Sequence, residues 1–173
     1  TLFTAIALIG FPMGEAAAQP TPGAAQTQSI LIVGGTAHLG TGDAIEGGAI
    51  GFKDGVIDYV GPGGAAIEAR YAVIISATGQ HVYPGFIAPN STLGLREMDA
   101  VRASLDYREV GTYKPNVRAV IAFNTDSEIT PTVRSNGVLL GQITPRGGTI
   151  SGSSGVVQFD GWNWGDASVR MVD

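Results

Sequence analysis

Two oxygen-bearing side chains follow a short apolar stretch, at positions where a strand would carry them into a site. Residues 82–95 read VYPGFIAPNSTLGL: an apolar run passes Pro84-Gly85 and then breaks into a polar elbow that contains Asn90 and Thr92. A short apolar strand that ends in a polar loop is how an α/β barrel presents side chains at its mouth. Two interpretations stay open: Asn90 and Thr92 bind a ligand, or they form a plain polar strand end.

A glycine-rich loop is the second candidate. Residues 144–155 read TPRGGTISGSSG and follow the apolar stretch VLLGQI. Backbone N–H groups of Gly147 and Gly148 can cradle an anion with Arg146 as counter-charge, and the alternative is a surface connection without a ligand. The P-loop pattern is missing, and the loop serines have no histidine after them to act as a base. We therefore expect ligand binding here at most, and no catalytic residue.

The remaining polar and aromatic candidates are few. His38 and His81 are the only histidines, and because a zinc site needs three or four ligands we expect them to have structural or surface roles. The chain has no cysteine, which excludes disulfides, thiolate catalysis and thiolate metal sites. We expect no metal site in this chain. Trp162 and Trp164 could stack on a sugar or another ring of a ligand, but we expect them to pack against the outer helices.

The order of several segments resembles a known family. ILIVGGT, DGVIDYVGP, the stretch VYPGFIAP, then ITPRGGTISGSSG and DGWNW follow one another as in secreted bacterial members of the metal-dependent amidohydrolase superfamily, the imidazolonepropionase-like enzymes. The resemblance covers residues 30–173. It implies a small β-sandwich module followed by a TIM-like (β/α)8 barrel, and hydrolysis of amide or cyclic amide C–N bonds at a divalent metal, usually zinc.

The resemblance fails at the residues that would hold the metal. The family's first barrel strand reads roughly P-G-[FL]-I-D-x-H-x-H. Here Ala88 stands at the aspartate position, and Asn90 and Thr92 stand at the histidine positions. Amide and hydroxyl oxygens are poor zinc ligands, so the resemblance implies a scaffold without the strand-one metal site.

Three hypotheses about function follow from this contrast. The leading one is an amidohydrolase-like protein that is catalytically inactive, as a pseudoenzyme or a fragment. The alternatives are a secreted module that binds a ligand or partner, and part of a longer active amidohydrolase with its metal ligands downstream. As partners we expect a small-molecule ligand, together with the remainder of the barrel or a second amidohydrolase unit, because a complete barrel needs about 250 residues.

The composition and the N-terminal residues limit the partners and the cellular location that we expect. The net charge is −5 with no long basic run, so we expect no nucleic-acid partner. Leu2–Phe11 is an apolar run that precedes Ala16-Ala17-Ala18, a pattern typical of a signal peptide, which we place at 1–18 with its start truncated. This predicts a periplasmic or secreted protein with no membrane segment after cleavage, and a flexible linker over 19–29.

The predicted fold class is mixed α/β, in two parts. Residues 30–80 alternate short strands and turns, with a hairpin at Asp54-Gly55, and form the β-sandwich module. Residues 81–173 form the first βα units of the incomplete barrel. Within this part the sequence predicts strands over 82–88, 138–143 and 156–159, and helices over 95–108, over 125–136 with Thr125, Asp126 or Ser127 as the cap, and from 167 onward.

Overall fold

The structure, a computed structural model, describes residues 22–171. The predicted signal peptide and the first part of the linker lie outside this range. The described strands are β1 (Ile30–His38), β2 (Ala44–Lys53), β3 (Val56–Pro62), β4 (Val73–Ser76), β5 (His81–Val82), β6 (Phe86–Ser91), β7 (Val138–Ile143), β8 (Gly155–Gln158) and β9 (Ser168–Met171). The described helices are α1 (Ala65–Glu68), α2 (Ile129–Ser135) and α3 (Trp164–Ala167), with 3₁₀ turns at Arg102–Ser104 and Ala119–Ala122. These elements confirm the mixed α/β class.

The first sheet contains the strands of the predicted module. Its order is β3-β2-β1-β4, and β5 also pairs with β1. The hairpin between β2 and β3 is confirmed: Asp54 and Gly55 both take positive φ, 52° and 78°, as a tight two-residue turn requires. The strands of this module form one sheet and not the two stacked sheets of a sandwich. A short helix and an aromatic ring cover one face of the sheet. Leu31 and Ala49 are buried there against Ile67 and Tyr71.

The predicted strand over 82–88 is two strands in different sheets. β5 pairs with β1 in parallel, whereas β6 pairs with β7 in the second sheet. Pro84 and Gly85 separate them. Proline lacks an N–H group and has a fixed φ, so it interrupts a strand ladder. The β-module strands therefore extend to Val82, and the second sheet begins at Phe86.

The second sheet has the order β6-β7-β8-β9. β6 and β7 are parallel, while β7–β8 and β8–β9 are antiparallel, so within the described residues one parallel connection is present and no barrel closes. One face of this sheet packs on α3 and on the 3₁₀ turn Ala119–Ala122. The core residues on this side are Leu95, Ala119, Val120, Phe123, Ile143, Val157, Phe159 and Ala167.

The helix predicted over 95–108 is wrong. This segment is built of turns, with a single 3₁₀ turn at Arg102–Ser104. The Ser104 hydroxyl bonds the carbonyl oxygens of Met98 and Val101, 2.9 and 2.8 Å away. Serine side chains that bond nearby backbone in this way compete with helical hydrogen bonds, and they hold the segment as a compact loop.

The other two helix predictions have different outcomes. The helix over 125–136 is confirmed in shorter form as α2, with Gly137 at φ 82° after its end. None of the three predicted caps acts, because Glu128 is the N-cap residue and has no side-chain cap bond, while Ser127 bonds Glu97. The helix predicted from 167 onward is wrong: β9 runs there and pairs with β8.

Candidate functional site

The candidate site lies where β6 and β7 end. Because these strands are parallel, their carboxyl ends and the loops that follow them meet at one edge of the sheet. The Thr144 N–H donates to the Ser91 carbonyl at 2.9 Å, and the Arg146 N–H donates to the Tyr107 carbonyl at 2.7 Å. The loop after β7 is thereby tied to the end of β6 and to the long segment that follows it.

Asn90 and Arg146, both predicted as ligand residues, are brought together. Arg146 Nη1 donates to Asn90 Oδ1 at 2.5 Å, and Nη2 donates to the Asn90 carbonyl oxygen at 2.6 Å. Asn90 has φ 52°, a left-handed conformation that asparagine tolerates. Its N–H donates to Gln142 Oε1 at 3.2 Å, and Gln142 Nε2 donates to Ser154 Oγ at 3.1 Å. The two candidate residues therefore form a cross-brace between β6 and the loop after β7.

The other three predicted ligand residues lie apart from this brace. Thr92 follows β6 in a turn in which its carbonyl accepts the N–H of Leu95 at 3.0 Å. Gly147 and Gly148 have φ of 81° and 76° and line a cavity of about 300 Å³. A side chain on Gly148 would collide with the Thr112 carbonyl oxygen, 2.6 Å from the Cβ position, so glycine is required there.

The walls of this cavity contain cations that the sequence analysis did not select. Arg102, Arg108 and Glu109 line it together with the two glycines. The guanidinium of Arg108 lies 5.9 Å from the centre of the Tyr107 ring, within cation–π range. The clustering of basic residues after residue 100 is a signal that could have found these arginines, but the predicted helix there concealed it.

A larger groove of about 700 Å³ adjoins the cavity. It shares Arg108, Glu109 and Val110 with the cavity and adds Asp106, Lys114 and Arg118. Its apolar lining includes Tyr113, Ile121 and Pro145. The groove is therefore amphipathic, because both apolar and charged side chains line it.

Lys114 is a buried cation beneath these cavities. Its side chain is 4% exposed, and Nζ donates to the carbonyl oxygens of Glu109 at 2.9 Å and Arg146 at 3.4 Å. Within residues 22–171, no carboxylate forms a salt bridge with it. Burying a charge is costly unless it is paired or hydrogen-bonded, and here the two carbonyl oxygens are the acceptors that hold the buried ammonium.

The donors at the end of β6 do not fit a catalytic divalent metal. Asn90 and Thr92 offer amide and hydroxyl oxygens, and the Asn90 oxygens already accept from Arg146. No group of three or more His, Cys, Asp or Glu side chains in the described part of the chain is arranged to hold a metal ion.

The histidines and tryptophans lie away from this edge. His38 Nε2 and His81 Nδ1 are 3.0 Å apart, and the Tyr83 ring stacks on His38 with ring centres 4.2 Å apart. The expected structural or surface role of the histidines stays a prediction. The expected packing of the tryptophans is wrong, since Trp162 is 69% and Trp164 37% exposed.

Comparison with known proteins gives one structural similarity. No protein-family profile matches the chain, and no curated protein matches it by sequence. The fold is similar to that of a solved amidohydrolase from Thermotoga maritima MSB8, with a TM-score of 0.71, 24% identity and 82% of this chain covered. The match covers 36% of that longer chain. The chain therefore shares the fold of part of an amidohydrolase.

Proposed function

We propose that this chain is a portion of an amidohydrolase-like protein in which the metal-holding end of the first barrel strand has become a ligand-binding edge without hydrolytic activity. The shared fold supports the relationship to amidohydrolases. The small-molecule ligand binds in the cavities at the ends of β6 and β7. We also propose that the protein is periplasmic or secreted. No helix within residues 22–171 is long and apolar enough to cross a membrane.

The observation that carries this proposal is the bond between Arg146 and Asn90. In the family that the sequence resembles, the residue at the Asn90 position is a histidine that binds a divalent cation. Here both Asn90 oxygens accept from a guanidinium. Two unit charges 4 Å apart repel by about 4 kcal/mol at an effective dielectric constant of about 20, and a divalent ion doubles this value. Arg146 and a metal at this strand end therefore exclude each other.

The proposal includes the remainder of the barrel as a partner. Among the strands of residues 22–171, β6 lies at the edge of its sheet, and two of its large apolar side chains, Phe86 and Ile87, are more than half exposed. An unpaired strand edge beside exposed apolar side chains is a surface that further barrel strands would cover.

Metal analysis tests the loss of the metal site. The purified chain is equilibrated with Zn²⁺, dialysed and measured for bound metal, beside the variants Asn90→Ala and His38→Ala. We expect no stoichiometric zinc, and any weakly bound zinc should be lost in His38→Ala alone, because His38 and His81 supply two adjacent imidazoles. One zinc per chain that disappears in Asn90→Ala would refute the proposal.

A second candidate function is a contribution to a longer, active amidohydrolase. The observation in its favour is that the chain spans 36% of the length of the solved amidohydrolase. In the longer protein of which this chain would be a part, the Asn90–Arg146 brace would position the substrate. Hydrolysis of an amide substrate by the longer protein should then fall in Arg146→Gln while its zinc content stays constant. Unchanged hydrolysis would remove this role for the brace.

A further inference from the structure

Two histidines form a pair on neighbouring strands of the first sheet. His38 is the last residue of β1, and His81 is the first residue of β5. The two strands are parallel, with Thr36 opposite His81. Nε2 of His38 lies 3.0 Å from Nδ1 of His81, although 43 positions separate the two residues in the sequence. The fold therefore brings together two imidazole nitrogens, the side-chain groups that bind metals most often in proteins.

The backbone beside each histidine is fixed by hydrogen bonds. The carbonyl of Gln80, just before His81, accepts the Thr36 N–H at 2.9 Å. The N–H of the residue just after His38 donates to the Asp43 carbonyl at 3.0 Å. Two ligands that the folded chain already holds close together lose little conformational freedom when they bind an ion.

The ring of Tyr83 forms a wall beside the pair. It stacks on the His38 ring, with centres 4.2 Å apart and an angle of 6° between the planes, and its centre lies 6.2 Å from that of His81. Stacking restricts rotation of the His38 ring but leaves its nitrogens open, because the lone pair of an imidazole nitrogen lies in the ring plane. His81 and Tyr83 are exposed and His38 is half-buried, so an ion can reach the pair from solvent.

The distance between the two nitrogens fits a metal with right-angled coordination. With metal–nitrogen bonds of about 2.0 Å, two imidazole nitrogens lie about 2.8 Å apart at an angle of about 90°, and about 3.3 Å apart at a tetrahedral angle. The observed 3.0 Å is closer to the first value. The ion replaces the hydrogen between the nitrogens. The ring that gives up this proton takes one from solvent at its second nitrogen, so both imidazoles stay neutral.

A pair of imidazoles favours Cu²⁺ over Zn²⁺. Stable zinc sites use three or four protein ligands in tetrahedral geometry, whereas no group of three or more His, Cys, Asp or Glu side chains among residues 22–171 is arranged to hold a metal. Cu²⁺ prefers tetragonal geometry with nitrogen and oxygen ligands, and it binds a given site more tightly than the other divalent first-row metals do. The net charge of −5 also attracts cations to the chain.

We propose that His38 and His81 form a solvent-accessible Cu²⁺ site, with His38 Nε2 and His81 Nδ1 as protein ligands and water at the other positions. The bound ion links β1 to β5, just before Pro84-Gly85 leads into the second sheet. Because it binds the folded chain, it should raise the urea midpoint. The site lies in the first sheet and goes beyond the proposed function, which concerns the ends of β6 and β7.

Calorimetric titration of the purified chain tests the class of metal. The probes are the chlorides of Cu²⁺, Zn²⁺ and Mg²⁺ in a buffer that does not bind metals. We expect one Cu²⁺ per chain, bound at least tenfold more tightly than Zn²⁺, and no Mg²⁺, which prefers oxygen ligands. Absent Cu²⁺ binding would overturn the proposal, and Zn²⁺ binding as tight as that of Cu²⁺ would overturn the tetragonal class.

Variants and spectroscopy locate the site. His38→Gln and His81→Gln should each weaken Cu²⁺ binding at least tenfold. The control Asp43→Asn removes a carboxylate from the turn after β1 but keeps both imidazoles, and it should bind as the original chain does. Urea midpoints exclude misfolding as the cause of a loss. Unchanged binding in both histidine variants, or a tenfold loss in Asp43→Asn, would refute the two-imidazole site.

Electron paramagnetic resonance of Cu²⁺ on the original chain gives a test that needs no variant. We expect a tetragonal spectrum with two coordinating imidazole nitrogens, and a spectrum without imidazole nitrogen would refute the site. The zinc measurements keep this inference separate from the proposed function. Zinc lost in Asn90→Ala would refute the decayed metal site alone, whereas Cu²⁺ binding that survives in both histidine variants would refute the Cu²⁺ site alone.

Discussion

Gly148 provides a quantitative test of how the glycine loop is held. Its φ of 76° costs an L-residue about 1–2 kcal/mol in the left-handed region. A Cβ atom there would lie 2.6 Å from the Thr112 carbonyl oxygen, which must therefore move. That oxygen accepts the N–H groups of Thr149 at 2.7 Å and Ile150 at 3.0 Å. Weakening two such bonds costs about 1 kcal/mol each, so we expect Gly148→Ala to destabilise the protein by about 3–4 kcal/mol.

Two other glycines with positive φ separate the effect of the clash from that of the backbone strain. Gly147 has φ 81°, and the atoms nearest to a Cβ added there lie at 3.8 Å. Gly79 has φ 74°, and no atom lies within 4 Å of a Cβ added there. The variants are Gly147→Ala and Gly79→Ala. Both should lose only the backbone term of about 1–2 kcal/mol. Urea unfolding, compared at constant m-value, measures all three variants. If Gly148→Ala matched the two controls within about 0.5 kcal/mol, the contact between the glycine loop and Thr112 would not bear on stability, and the reasoning would be refuted.

Further predictions concern two side-chain bonds. The Tyr71 hydroxyl donates to Asp58 Oδ1 at 2.6 Å, and burial followed by this bond raises the pKa of Tyr71. A raised folded-state pKa gives stability that is present below the unfolded pKa of about 10 and is lost as the pH rises through the folded value. Tyr71→Phe should therefore lower the urea midpoint at neutral pH and flatten the alkaline decline, and an unchanged alkaline curve would contradict this. Arg146→Gln removes both bonds to Asn90 and should cost about 1–2 kcal/mol by urea unfolding, while no loss would show that solvent replaces them fully.

Local turn chemistry is the part of the fold that the sequence predicts well. Asp54-Gly55 predicts its hairpin because few residue pairs accept positive φ at both positions. Gly137, at φ 82°, likewise marks the end of α2. In both cases the constraint lies within the few residues that form the turn, so no tertiary information is needed.

Elements set by distant contacts are the part that sequence reasoning misses. The 95–108 segment contains helix-forming residues, but Gly94, at φ 71°, lies against the Phe123 ring, and the Asn124 N–H bonds the Gly94 carbonyl at 2.8 Å. The apolar pattern around Pro84 likewise fits a strand on both sides and does not reveal that the two halves belong to different sheets.

The candidate site likewise contains residues that the sequence predicts and residues that it does not predict. Asn90 and Arg146 are predictable because Asn90 lies at the end of one strand and Arg146 follows another, and parallel strands bring their ends together. Arg102 and Arg108 are not, because only the folded path of the loop after β6 places them beside Gly147 and Gly148.

Lys114 connects the stability of this region with its charge. Leaving two carbonyl oxygens unpaired costs about 1–3 kcal/mol each, whereas removing a buried ammonium recovers a desolvation penalty of several kcal/mol. These effects nearly cancel, so Lys114→Met should change the free energy of unfolding by less than about 1 kcal/mol without ligand. Urea unfolding compared at constant m-value measures this change. A loss of more than about 3 kcal/mol would show that the two carbonyl bonds of Lys114 outweigh the desolvation penalty, and Lys114 would then be a structural brace.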